Sequence, residues 1–304
     1  MNIEARFYKT YEICGIIDEI LRDPIEHLQK LEAFYSDDKW LYLAKPYEKY
    51  SVLHKLIEFI LGEIHAEQAS AINLHDQQEI FRNFRDIPDA LNDLQPTKLP
   101  IELTFDHYEI EYKNFINYLK ILDKTFDAAV DDDIYEYMNE VWLTQSYETL
   151  MEYMVKEIFH ILFQNRELLL LLNIFLSYLI EKTDMNATVE DDSLLFKNLF
   201  KEDGTLKRVQ PPAWAKKAVF FRDRGQCVLC NKDLSGLINL ANTNNFDHIV
   251  PLSQYGLNDI TNLQLLCMEC NQHDKRDNIG YTSNIYQSWY SYKKFKQMVR
   301  KGEL

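Results

Sequence analysis

Four of the five cysteines in the 304-residue chain form two C-x-x-C pairs near its C-terminal end. Cys227 and Cys230 make the first pair, and Cys267 and Cys270 follow after 36 intervening residues. Because each pair can form a tight knuckle and the chain between them can loop back, the four thiolates can close a tetrahedral Zn²⁺ shell. Such a shell leaves no position on the metal for water or substrate. The spacing therefore predicts a structural zinc.

An acidic residue and a histidine, Asp247 and His248, open the short apolar run D-H-I-V-P-L between the cysteine pairs. A neutral imidazole suits a general base near pH 7, and a carboxylate suits a hard divalent cation. The alternative is a hydrogen-bonded structural pair that performs no chemistry. Since the zinc shell is closed, we expect any catalysis in this region to come from this pair or from the later stretch T-N-L-Q-L-L-C-M-E-C-N-Q-H-D-K.

The motifs follow one another in the order C-x-x-C, D-H-I-V-P-L and N-L-Q-L-L-C-x-x-C-N. In that order, the segment from about residue 213 to residue 278 resembles the HNH endonuclease family. The resemblance implies a small ββα-metal core that is stapled by a four-cysteine zinc, with an H-N-N version of the motif. It covers a third of the chain or less and does not extend to the residues before it.

The resemblance also implies roles for individual residues. His248 is the expected general base, Asp247 a ligand of a catalytic Mg²⁺ or Mn²⁺, and Asn262 the residue that holds the catalytic loop and orients the histidine. The third motif position, where family members carry His or Asn, falls on Asn271, the expected second ligand of that ion. The family commonly reads C-N-x-x-K-G here, whereas this chain reads C-N-Q-H-D-K-R-D-N, so His273 is an alternative ligand.

The residues before the motifs differ from them in the periodicity of their apolar side chains. Apolar residues recur at helical spacing up to about residue 182, as in Y-S-V-L-H-K-L-I-E-F-I-L-G-E-I-H-A-E. This pattern predicts a mainly α domain, a helical bundle, over residues 1–182. Residues 183–210 are first polar and acidic and then basic, and two prolines follow them, so we interpret them as a linker. We expect a small α+β module with a basic C-terminal helix over residues 211–304.

The most apolar run of the sequence, L-L-L-L-L-N-I-F-L-S-Y-L-I, occupies residues 168–180. It is shorter than the roughly 20 residues that a bilayer requires and contains Asn173, so we predict a buried helix and no membrane association. No apolar segment follows a basic segment at the N-terminus, and we therefore expect a cytoplasmic protein. A reducing cytoplasm also favours metal binding over disulfides for the cysteine pairs.

The net charge of −15 hides an asymmetry between the two parts of the chain. From Lys201 onward there are 15 basic and 10 acidic residues, a net charge of +5, whereas the preceding residues hold 18 basic and 38 acidic ones, a net charge of −20. Cations for binding phosphates are therefore concentrated in the C-terminal part, although charge runs are also ordinary solvated surface. The candidate contacts to a DNA backbone are Lys216, Lys217, Arg222, Arg224, Lys275 and Arg276, with Lys207 and Arg208 nearby.

Together these features predict a metal-dependent endonuclease that hydrolyses DNA phosphodiester bonds by nicking or double-strand cleavage, with RNA as an alternative substrate. We expect the acidic helical domain to bind a protein partner, to self-associate or to act as a sensor, in a bacterial or phage defence setting that the family suggests. The alternative is a non-catalytic zinc adaptor that binds nucleic acid or protein. The complete set of Asp247, His248, Asn262 and Asn271 favours the nuclease.

Overall fold

The computed structural model describes residues 8–24, 26–36, 39–182, 198–235 and 245–275. Within them the chain is mostly helical and carries one small sheet, as the sequence predicts. The helices before residue 183 are α1 (Tyr8–Arg22), α2 (Leu28–Tyr35), α3 (Lys39–Leu43), α4 (Val52–Ser70), α5 (Leu74–Phe84), α6 (Pro88–Leu94), α7 (Pro100–His107), α8 (Phe115–Ile121), α9 (Asp131–Trp142), α10 (Gln145–Leu162) and α11 (Arg166–Lys182).

Helix α4 is the centre of the helical part. It packs against α1, α7, α9 and α10, and the predicted apolar stripe forms its buried face. The residues of that face are Val52, Leu53, Leu56, Ile57, Ile60 and Leu61. Repetition at three- and four-residue spacing placed these side chains on one side of a helix, where neighbouring helices cover them.

Helix α11 contains the apolar run that the sequence analysis singled out. Leu168, Leu172, Leu176 and Ile180 are buried in the protein, which agrees with the predicted buried helix. Asn173 is buried with them, and its side chain donates a hydrogen bond to the carbonyl of Leu169 at 2.7 Å. Over the ranges that the structure describes, no single helix is both long and apolar enough to cross a bilayer; α10 and α11 reach that length and composition only as a pair bent by 108°.

The described residues from 198 onward form what we call the C-terminal module. It contains helix α12 (Ala213–Arg222) and two short strands, β1 (Phe246–His248) and β2 (Leu263–Leu265), which pair antiparallel. Their register sets Asp247 opposite Gln264 and His248 opposite Leu263. Short 3-10 helices at Leu252–Gln254 and Ile260–Asn262 lie between the strands, and a π-helical segment runs from Cys270 to Lys275. The predicted basic C-terminal helix lies outside the described residues.

Part of the segment that was interpreted as a linker contacts the module. Phe200 and Leu206 form an isolated antiparallel bridge, which makes a small hairpin before α12. The side chain of Asn258 then accepts a hydrogen bond from the Val209 amide at 3.2 Å and donates one to the carbonyl of Lys207 at 2.9 Å. Residues 198–210 are thus tied to the loop between the strands, while the limits of the linker itself stay a prediction.

The module packs directly on the helical part through buried polar contacts. The amide of Val52, the first residue of α4, donates to Asp259 Oδ2 at 3.3 Å. In α11, the Asn173 side chain contacts Thr261 Oγ1 at 3.4 Å. Because Asp259 and Thr261 are themselves joined by two hydrogen bonds of 2.9 and 2.8 Å, the loop before β2 is fixed by two helices of the N-terminal part.

Candidate active site

The four paired cysteines meet at one point of the C-terminal module. Their Sγ atoms all lie within 4.8 Å of one another, and the Sγ atoms of Cys230 and Cys267 are 3.7 Å apart. Tetrahedral coordination with Zn–S bonds of about 2.3 Å places thiolates about 3.8 Å apart, whereas a disulfide requires about 2.05 Å. The cluster therefore fits a structural zinc and does not fit a disulfide.

The first knuckle is a tight turn that is joined to the sheet. The amide of Cys227 donates to the carbonyl of Lys232, and the amide of Asn231 donates back to the carbonyl of Cys227, both at 2.9 Å. Asn231 has a φ of 60°, in the left-handed region that asparagine tolerates better than most residues. The amide of Val228 donates to the carbonyl of Leu265 in β2 at 3.0 Å, so that the zinc cluster and the strand are held together.

Backbone amides donate to two of the thiols, whereas burial raises the pKa of a third, Cys230. Burial acts to raise the pKa of the Cys227 thiol, but hydrogen bonds from the amides of Cys267, Cys230 and Leu229 outweigh it, and the net pKa is lowered. At the second knuckle, the amide of Cys270 donates to Cys267 Sγ at 3.4 Å. Because thiolates are the species that bind zinc, these amides favour the metal-bound state.

His248 and Asp247 occupy neighbouring positions of β1. His248 is 4% exposed and Asp247 is half-buried. Since successive side chains of a strand alternate between its two faces, the histidine and the carboxylate point to opposite sides of the two-stranded sheet. The amide of Ile249 donates to the carbonyl of Asn262 at 2.7 Å, which extends the pairing beyond His248.

Asn262 closes the loop that leads from β1 to β2. Its Oδ1 accepts a hydrogen bond from the Val250 amide at 2.8 Å, and its Nδ2 donates to the carbonyls of Val250 at 3.0 Å and Leu257 at 2.9 Å. A Cβ atom on Gly256 would clash with the carbonyl oxygen of Val250, so the same loop requires glycine at that position. The side chain of Asn262 therefore fixes the backbone directly after His248, while its expected part in orienting the histidine stays a prediction.

A cleft of about 380 Å³ opens beside His248. Asn271 lies on its wall, where the amide of Asn271 donates to the carbonyl of Cys267 at 3.0 Å and begins the last helical segment. Arg208, from the segment before α12, contributes a cation to the same wall. Asp247 is not among the described residues that line the cleft, and the side chain of His273 lies outside the described residues.

Residues 227–277 match the family model for the HNH endonuclease. This segment is an HNH domain. The match includes both cysteine pairs, the D-H-I-V-P-L run, Asn262 and Asn271, and it covers none of the helices before residue 183. No curated protein and no solved structure matched the chain.

Arg222, one of the candidate DNA contacts, instead helps to hold the HNH domain in place. It is 6% exposed, and its Nε and Nη2 donate to the carboxylate of Asp223 at 2.9 and 2.8 Å. Nη2 also donates to the carbonyl of Leu263 in β2 at 2.6 Å, and the guanidinium lies 5.0 Å from the ring centre of Phe163. Because all of these partners are protein groups, the structure gives Arg222 a structural role in place of the predicted contact with DNA.

The other candidate DNA contacts divide by burial. Lys217 and Arg224 are exposed on α12 and directly after it, whereas Lys216 is buried. Burial leaves Lys216 unsuited to reach a phosphate, so we keep only Lys217 and Arg224 of these three as candidates. The side chain of Lys275 and all of Arg276 lie outside the described residues.

Of two further residues that approach the site, the sequence analysis named Arg208 only as a nearby cation and did not predict Tyr47. Arg208 was visible as part of a basic pair but had no motif to connect it with His248. Tyr47, from the loop between α3 and α4, places its hydroxyl 3.5 Å from His248 Nε2. As one of 19 tyrosines in the chain, it carried no sequence signal.

We expect Cys227→Ser to remove the zinc and to unfold the HNH domain, because metal-binding energy is folding energy in such a small unit. Metal analysis of the purified protein should give about one zinc per chain for the wild type and far less for the variant. Cys14→Ala is the matched control, since this fifth cysteine is buried within the helical part. Wild-type zinc content in Cys227→Ser would refute the four-cysteine site.

Replacement of Asn262 by alanine should lower the free energy of unfolding by about 2–4 kcal/mol, because the amide and carbonyl of Val250 and the carbonyl of Leu257 lose their buried partners. Urea denaturation would measure the change. Asn92→Ala serves as the control, since Asn92 is exposed on α6. Equal stability of Asn262→Ala and the control would show that the loop does not depend on this side chain.

Proposed function

We propose that this protein is a metal-dependent endonuclease whose HNH domain hydrolyses the phosphodiester backbone of DNA. The observation that carries the proposal is the arrangement of His248 and Asn271 on one cleft, with Asn262 fixing the loop behind the histidine. The family match adds that this domain type is a nuclease. A degenerate adaptor would not need an imidazole and an amide aimed at the same cavity.

The resemblance assigns the catalytic ion to Asp247 and Asn271, with His273 as the alternative to Asn271. Of the first two, Asn271 lies on the cleft beside His248, whereas the Asp247 side chain leaves β1 on the opposite face, so Asp247 is the weaker fit as a shared ligand. A carboxylate oxygen and an amide oxygen are hard ligands, which suit Mg²⁺ or Mn²⁺ better than zinc. When bound, such an ion polarises the phosphate and stabilises the leaving oxygen. The four cysteine thiolates form a cluster of their own, so the structural zinc and the catalytic ion would use separate sets of ligands.

In the proposed reaction, His248 accepts a proton from a water molecule in the cleft. An imidazole suits this task because its ordinary pKa lies near neutral pH. The hydrogen bonds of Asn262 to Val250 hold the backbone beside the histidine and so limit where the base can point. Arg208, on the cleft wall, can bind a phosphate oxygen with the paired N–H groups of its guanidinium.

The charge distribution supports binding of the backbone at the C-terminal module. Lys217 and Arg224 are exposed, and Arg208 is exposed at the mouth of the cleft. These cations belong to the part of the chain with a net charge of +5. Since phosphate binding depends on local rather than total charge, the −20 of the helical part does not prevent it.

The cellular location, the biological role and the function of the helical part are further parts of the same proposal. We propose a cytoplasmic location, a role in bacterial or phage defence, and a helical part that binds a protein partner, self-associates or acts as a sensor. The acidic surface of the helical part supports an interaction with something other than DNA.

Supercoiled plasmid with Mg²⁺ or Mn²⁺ is the direct test. We expect His248→Ala to cleave about 10²- to 10⁴-fold more slowly than the wild type, because that is the usual contribution of a general base. His107→Ala, at an exposed position of α7, is the matched control and should cleave at the wild-type rate. Relaxed circles would indicate nicking and linear products double-strand cleavage, and a parallel reaction with duplex RNA would separate the two substrates.

Cleavage by His248→Ala at the wild-type rate would assign the activity to another site or to a contaminant. Absence of cleavage by a folded, zinc-loaded wild type would favour the zinc adaptor instead.

A further inference from the structure

The loop between α3 and α4 brings a tyrosine from the helical part to the HNH domain. Tyr47 is 7% exposed, and its backbone amide donates to the carbonyl of Asn258 at 2.8 Å. Its hydroxyl lies 3.5 Å from Nε2 of His248, a contact between residues that are 201 positions apart. A side chain outside the family match therefore touches the proposed base directly.

The backbone at Tyr47 is held in an uncommon conformation. Its φ is 49°, in the left-handed region that costs a residue other than glycine about 1–2 kcal/mol. The bond to Asn258 and the bond from Val52 to Asp259, which anchors the start of α4 five residues later, keep the loop in this form. A strained residue that is fixed on both sides and points at the site suggests a functional constraint.

We infer that Tyr47 is a positioning residue for His248. This inference rests on the proposed nuclease function. A neutral imidazole has one protonated and one unprotonated nitrogen. Donation from Nε2–H to the hydroxyl oxygen of Tyr47 leaves the lone pair on Nδ1, and Nδ1 is then the atom that accepts the proton from water. The proton stays on Nδ1 until solvent removes it, while Nε2 keeps its own proton throughout.

The surroundings keep the phenol of Tyr47 neutral. Burial raises its pKa, the negative charge of Asp259 raises it further, and Arg208 acts in the opposite direction without reversing the shift. The neutral hydroxyl can accept a hydrogen bond from Nε2–H or donate one to Nε2. The proposed function requires the first direction, because it leaves the other ring nitrogen with a lone pair for the proton from water. Partners that orient a functional histidine in this way fix which of its nitrogens carries the proton.

The loop that leads to Asn262 is also where the HNH domain packs on the helical part. Asn258, Asp259 and Thr261 all contact the helical part, and the next residue, Asn262, holds the loop after His248. The histidine is therefore positioned from inside its own domain by Asn262 and from outside it by Tyr47.

Tyr47→Phe in the full-length, zinc-loaded protein tests the inference, because it removes the hydroxyl and keeps the ring. We expect kcat on plasmid DNA to fall about three- to tenfold, the usual effect of one hydrogen bond, with KM unchanged. Tyr50→Phe is the matched control, since the Tyr50 hydroxyl donates to the exposed Glu58 at 2.9 Å rather than to His248. An equal kcat for Tyr47→Phe and the control would overturn the proposal.

A second readout does not depend on cleavage. Nitrogen NMR of histidine-labelled protein, with the His248 signal assigned by its loss in His248→Ala, reports which ring nitrogen carries the proton. We expect the Nε2–H form in the wild type and in Tyr50→Phe, and loss of that preference in Tyr47→Phe. The same form in all three proteins, or an Nδ1–H form in the wild type, would overturn the assignment even if the wild type cuts no DNA.

Discussion

The buried carboxylate of Asp259 joins the two parts of the molecule at the point on which the site depends. It accepts hydrogen bonds from the amide and hydroxyl of Thr261 and from the amide of Val52 at the start of α4. The positive end of the helix dipole also favours a negative charge there. Burial nevertheless raises the pKa of Asp259, so desolvation outweighs these donors. The contact acts as a geometric constraint more than as a source of stability.

The position of His248 follows from that constraint through a short chain of contacts. Thr261 is fixed by Asp259 and by Asn173 of α11, and the next residue, Asn262, closes the loop around Val250. At the other side, β2 is held by Arg222 and Asp223 of the α12 region and by the first zinc knuckle. The strand that pairs with His248 is thus supported by the zinc cluster and by the helical part together.

Much of this arrangement could be predicted from the sequence, because it is encoded locally. The spacing of the cysteines predicted their cluster, the apolar stripe predicted α4, and the place of Asn262 before L-Q-L-L-C predicted its role in the loop. The ligand roles of Asp247 and Asn271 stay predictions. The residues of such a motif lie on short, defined elements, so their spacing in the sequence largely determines their arrangement in space.

The contacts between the two parts could not be predicted in the same way. A basic residue looks the same in a sequence whether its partner is a phosphate or a buried carboxylate, so the sequence places Arg222 among the candidate DNA contacts although its guanidinium binds Asp223. Tyr47 touches His248 only because α4 and the loop before β2 meet in space. Single-sequence patterns do not record contacts between residues this far apart.

The central claim is that the contacts of Tyr47, Asp259 and Thr261 couple the two parts, so that destabilising the helical part also destabilises the HNH domain and its zinc cluster. Thermal unfolding can be followed at once by far-ultraviolet circular dichroism, which reports the helices, and by zinc release, which reports the HNH domain. Leu56→Ala opens a cavity at a fully buried position of α4 and should cost about 2–5 kcal/mol, whereas Leu143→Ala alters a residue that is 90% exposed. We predict that the two transitions occur at the same temperature. Leu56→Ala should lower that temperature equally for both, and Leu143→Ala should not change it. Zinc release at the wild-type temperature in Leu56→Ala would contradict the claim.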